Sequence, residues 1–78
     1  MSLPVASGKE VLKLLLKEGF AIVRQRGSHV QLVKQLLDRT LRVTVPIHAS
    51  RDLPRSVIHS IIKQAGYTVE EFVKLLIK

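Results

Sequence analysis

Arg24 to Val33 reads RQRGSHVQLV: two arginines, a glycine-serine pair, then a histidine entering an alternating apolar run. An imidazole with an ordinary pKa of about 6.5 can take or give a proton near neutrality, and guanidinium groups bind phosphate oxygens in bidentate fashion. Together they suit metal-free RNA cleavage, in which the ribose 2′-OH attacks its own phosphate. A base removes the hydroxyl proton, an acid serves the leaving 5′-oxygen, and cations stabilise the developing charge. DNA lacks that hydroxyl and would be inert. The same residues also make an ordinary solvated hairpin, so the outcome depends on whether the fold gathers them on one open surface.

Other chemistries lack their residues. Nothing matches a phosphate-cradling glycine-rich loop, a zinc pattern or a nucleophile elbow. The chain has no cysteine, which removes disulfides and thiolate metal sites. From Arg24 to Lys63 the carboxylates are Asp38 and Asp52, too sparse for the hard cations of a metal-dependent nuclease. No metal or other cofactor is expected. His48 follows VTVPI and can approach His29 across a sheet or cap the next helix. His59 lies beside an apolar helical stripe and reads as a solvated border residue.

Charge points the same way. Thirteen Lys and Arg against six Asp and Glu give +7 over 78 residues. Eight of the bases and two of the acids fall between Arg24 and Lys63, so the basic field is central and the ends are nearly balanced. A field of that kind suits a polyanion, most simply nucleic acid, although a solvated basic surface has the same composition. The length allows one small domain with a thin core. The start, MSLPVASGKE, lacks the basic onset and apolar stretch of a signal peptide, and no apolar run nears the ~20 residues of a membrane span. The expectation is a soluble, cytoplasmic chain with no membrane partner: a loose tail at 1–6 and a single domain over 7–78.

The elements that must position these residues are legible from periodicity. SGKE at Ser7 to Glu10 fits a capping box, followed by a stripe of Val11, Leu12, Leu15 and Leu16, and Gly19 ends the helix. Phe20 to Arg26 predicts a strand, Gly27-Ser28 a tight turn, and His29 to about Lys34 a second strand. After a turn around Leu37 to Arg39, Thr40 to Ile47 alternates with Leu41, Val43, Val45 and Ile47 on one face; Pro46 marks an end or an edge. The adjacent pair Leu36-Leu37 reads as extra core, the favoured reading, or as a sticky patch that a partner covers. A 3.6 period through Val57, Ile58, Ile61, Ile62 and Ala65, entered at Asp52 and Pro54 and closed by Gly66, predicts a second long helix. TVEE at Thr68 to Glu71 caps a short third, with Val69, Phe72, Val73 and Leu76 as its face.

The fold class is therefore α+β, in the order α-β-β-β-α-α, with a three-stranded antiparallel sheet covered by helices on one face. Strand parity puts Val30 and Leu32 inward and His29 and Gln31 on the open face, with Arg42 and Thr44 outward in the third strand. The first strand is ambiguous, because Phe20 and Ile22 share parity with Arg24 and Arg26. A twist or bulge near the glycine is expected to release the two arginines, leaving His29 among Arg24, Arg26 and Arg42.

The segments EGF, RQRGSHVQLV, VTVPIHASRDLP and SIIKQAGYTVEEF, in this order, resemble the HicA toxins of toxin-antitoxin pairs, from about Gly8 to Phe72. The most specific parts are Gly27-Ser28-His29, the Pro-x-His of Pro46 to His48, and Ser60 to Gly66. Many members carry Gly-Thr as the second long helix begins, where this chain has Ser56-Val57. The resemblance implies a double-stranded-RNA-binding-like fold and a metal-independent RNA endonuclease, an mRNA interferase, whose required histidine falls on His29. It also implies a HicB-like antitoxin partner that covers the active face. On this reading Arg24, Arg26 and Arg42 bind phosphate, Gly27 and Ser28 shape the turn, and His48 is a candidate second proton carrier. The alternatives are a non-catalytic RNA-binding module of the same fold and a domain whose basic face meets only an acidic protein.

Overall fold

The computed structural model describes residue 3, residues 5–47 and residues 51–77. Three helices, α1 (Gly8–Lys17), α2 (Arg55–Ala65) and α3 (Val69–Leu76), accompany three strands, β1 (Ala21–Arg26), β2 (His29–Gln35) and β3 (Thr40–Pro46). The strands form one antiparallel sheet in the order β1-β2-β3. This is the expected α+β order.

Local chemistry starts and stops the helices where the sequence places the signals. The Ser7 hydroxyl accepts the Glu10 N–H at 3.2 Å while the Glu10 carboxylate accepts the Ser7 N–H at 3.0 Å. Thr68 and Glu71 repeat the arrangement at 3.1 and 2.8 Å, and these bonds hold the Glu71 carboxyl below its ordinary range. The entry to α2 has no side-chain cap at Pro54, and Gly66 closes it with φ 78°. Its stability therefore comes from packing.

One face of the sheet carries the core. Val30, Leu32, Val43 and Val45 are almost fully buried under Val11, Leu15, Ile58, Ile61 and Ile62, with Phe72 of α3 closing the end. In α1 the buried positions are Gly8, Val11, Leu14 and Leu15, whereas Leu16 is 44% exposed. The three- and four-residue helical steps from Val11 select Leu14 and Leu15, so Leu14 takes the place expected of Leu16. Leu37, expected in the core, is fully exposed at the tip of the β2–β3 turn. That turn closes by Leu36 N–H donating to the Arg39 carbonyl at 2.8 Å, which leaves Leu37 projecting. Two residues of the expected loose tail, Leu3 and Ala6, are in the core, and the Ala6 carbonyl accepts the Leu53 N–H at 2.8 Å.

Two details set the shape of the open face. The first is a bulge in β1. Ile22 pairs with Leu32 and Arg24 with Gln31, so Val23 is the extra residue. Directly paired residues share a face; Ile22 therefore lies on the helix side, whereas Arg24 and Arg26, opposite Gln31 and His29, lie on the open side. The expectation placed the irregularity near Gly27. It lies four residues earlier, where the switch from core to solvent parity is needed.

The second is the close approach of α1 to β3. A Cβ at Gly8 would collide with the Pro46 carbonyl oxygen, so only glycine lets the first turn of α1 rest on the strand end. Gly8→Ala is expected to cost about 1–3 kcal/mol, the usual range for overpacking, read as a lower urea midpoint; an unchanged midpoint would contradict the close approach. Deleting Val23 should give a regular ladder with both arginines still outward. Proton–proton cross-strand contacts between Arg24 and Gln31 and between Arg26 and His29 should survive in nuclear magnetic resonance spectra; their loss would refute the bulge as the source of the parity switch.

Candidate functional site

Register places the outward side chains in rows. Arg26, His29 and Pro46 form the row beside the β1–β2 turn, and Arg24, Gln31 and Thr44 form the next. Neighbouring strands lie about 4.8 Å apart, and same-face residues of one strand about 6.7 Å apart. Arg26 and Arg24 therefore flank His29 within the span of one phosphodiester group and its riboses. Arg24, Arg26, His29, Gln31 and Thr44 line one shallow depression of about 450 Å³.

The turn that presents His29 is built for that position. Gly27 has φ 56°, a left-handed conformation that most residues adopt at a cost. The Gln25 amide donates to the Gly27 carbonyl at 3.3 Å. The Ser28 carbonyl accepts the Ile47 N–H at 2.6 Å, tying the turn to the end of β3. Gly27 and Ser28 thus fix the hairpin at the point where His29 emerges.

The face is cationic. Its outward positions on the three strands carry Arg24, Arg26 and Arg42 and no carboxylate. Among the described residues the one close ion pair is Lys74 to Glu70, at 3.9 Å on α3, so the arginines have no acidic partner there. Also among the described residues, no three His, Asp or Glu side chains gather as a metal-binding group. Lys34 has turned to the helix side, with its ammonium 5.7 Å from the centre of the Phe20 ring.

Most of the expected site residues come together, with two qualifications of place. Arg42 is outward but pairs with Val33, four residues along β2 from His29, or about 13 Å. It lines an adjoining depression with Gln31 and Thr44 rather than the one holding His29. Strand register separates them, which the alternation of polar and apolar residues does not reveal. His48 lies outside the described residues. His59 is exposed and lines a cavity with Lys63 and Tyr67 on the helical side, away from this face.

Two residues that carry no catalytic motif join the site, Gln31 and Thr44. Their outward parity was readable, but an amide and a hydroxyl on a strand signal no chemistry until the pairing puts them opposite each other.

No curated protein matches the chain. The family model for the HicA toxin of bacterial toxin-antitoxin systems matches residues 8–67, a span that includes α1, the whole sheet and α2. By that match over most of its length, the chain belongs to the HicA toxin family.

Proposed function

We propose that this toxin is a metal-independent RNA endonuclease, an mRNA interferase, with His29 as general acid or base. The single observation that carries the reading is the His29–Arg26 cross-strand pair, flanked by Arg24, on an open face without a carboxylate. Arg24 and Arg26 hold the scissile phosphate. The 2′-oxygen attacks phosphorus as its proton leaves to a base, the bond from phosphorus to the 5′-oxygen breaks, and that oxygen takes a proton from an acid. The guanidinium groups stabilise the charge that gathers on the phosphoryl oxygens between these steps.

His29 supplies one of the two proton transfers. His48 is our candidate for the other, since Pro46, two residues before it, pairs with His29. Arg42, farther along the sheet, contacts the RNA backbone beyond the cleaved phosphate. The partner we infer is a HicB-like antitoxin covering this face, and the setting is the cytoplasm, where mRNA is available. Among the described residues no helix is long and apolar enough to cross a membrane.

His29→Ala tests the reading. The substitution is on an exposed strand position and should leave the circular dichroism spectrum unchanged. Cleavage should fall by about 10²- to 10⁴-fold, the usual range for a proton-transfer group, while RNA binding persists. Wild-type fragments should end in a 2′,3′-cyclic phosphate and a 5′-hydroxyl. Equal cutting by both proteins would remove His29 from the mechanism, and a 3′-hydroxyl end would sink the proposed chemistry. If both bind RNA and neither cuts, the chain is a binding module.

A further inference from the structure

The row next to the proposed cleavage row is Arg24, Gln31 and Thr44. Gln31 stands at its centre, on the middle strand, with an exposed side chain. Two other glutamines have structural tasks. Gln25 donates to the Gly27 carbonyl, and the Gln64 side-chain oxygen accepts the Thr44 backbone N–H at 3.2 Å, covering the outer edge of β3. Gln35 lies at the far end of β2, opposite Thr40. The Gln31 amide makes no hydrogen bond among the described residues, so its donor and its acceptor both remain available toward the open face.

The phenylalanine and tyrosine rings do not serve this face. The chain has two phenylalanines, one tyrosine and no tryptophan. Phe20 and Phe72 are buried in the core, and Tyr67 packs on Phe72 at 6.2 Å between ring centres. Proteins that hold unpaired bases commonly stack them on aromatic rings. With those rings elsewhere, stacking on this sheet falls to His29 and the arginines, and because a stacked plane accepts every base, discrimination between bases must use polar contacts to base edges. The groups placed for such contacts are the Gln31 amide and the Thr44 hydroxyl, opposite each other on adjacent strands.

We propose that Gln31, assisted by Thr44, forms a base-reading subsite for unpaired RNA, next to His29 and the phosphate held by Arg24 and Arg26. This rests on the RNA-cleaving reading of the same face. An amide presents a donor beside an acceptor and can meet a base edge with two hydrogen bonds. Such an edge is reachable when the nucleotide is unpaired, because the deep major groove of an RNA duplex excludes side chains. The row spacing of about 6.7 Å keeps the base beside the cleaved linkage rather than on it. The substrate class is therefore single-stranded RNA, with a preferred base at one position flanking the cut.

A pool of single-stranded RNAs of random sequence tests this by binding, independently of cleavage. The full chain carrying His29→Ala retains the bound RNA intact for sequencing. It should enrich particular bases at one position by about tenfold, the scale of a two-hydrogen-bond base contact. Adding Gln31→Ala should flatten that enrichment to less than about twofold, with an unchanged circular dichroism spectrum. Adding Gln31→Glu, which offers acceptors only, should shift it toward guanine, whose N1–H and exocyclic amino group present two adjacent donors to a carboxylate. Enrichment that is absent, or that survives both substitutions unaltered, overturns the subsite. The nuclease reading is scored separately with the wild type. Enrichment that depends on Gln31 in a chain that never cuts RNA would uphold the subsite and overturn the nuclease.

Discussion

Val23 stands where β1 has one residue more than β2 can pair with, and the composition of the open face depends on that mismatch. Phe20 and Ile22 belong on the helix side, where Phe20 is 4% exposed. In an uninterrupted strand Arg24 and Arg26 would follow them to that side, and the open face would lose both guanidinium groups; burial is not at stake, because all six residues of β1 are exposed at the sheet edge. The bulge resolves the conflict by resetting the alternation, so apolar and cationic residues of equal sequence parity reach opposite faces. A bulge occupies an edge strand at little cost, because the unpaired residue there disrupts only one ladder.

The rest of the molecule supports this face from behind. The apolar residues of β2 and β3 alternate regularly, so both strands dock on α1 and α2 through Val30, Leu32, Val43 and Val45. Gly8 lets α1 approach the end of β3, and the Ser28 carbonyl ties the β1–β2 turn to the same end through Ile47. His29 is thus carried on the central strand, at a turn fixed by backbone bonds, with packed helices behind the sheet. Proton transfer needs positioning of this kind, because a donor misplaced by an ångström loses much of its effect.

Much of this is legible in the order of the residues. The capping boxes, the 3.6 period of α2 and the alternation of β3 each have a local physical cause, and each element formed where its cause lies. What escaped were pairings between distant residues. The site of the bulge is set by which residues of β2 face β1, and the distance of Arg42 from His29 is set by the register of β2 on β3. The exposure of Leu37 follows from the turn's own hydrogen bond, which outweighed the hydrophobic expectation at that position. Gln31 and Thr44 were visible as outward residues, but only register shows that they face each other beside the histidine.

The family match makes the chain a HicA toxin, and the physical account adds a claim about how the open face acts: the substrate's own 2′-hydroxyl is the nucleophile. The most direct measurement is cleavage of an RNA carrying a single 2′-deoxy substitution at the nucleotide whose phosphate is normally cut. The account predicts that this linkage survives intact while the oligonucleotide still binds and competes with unmodified RNA. Cleavage at the substituted position at the unmodified rate would mean that water or another group attacks the phosphorus, and the mechanism assigned to His29 would fall.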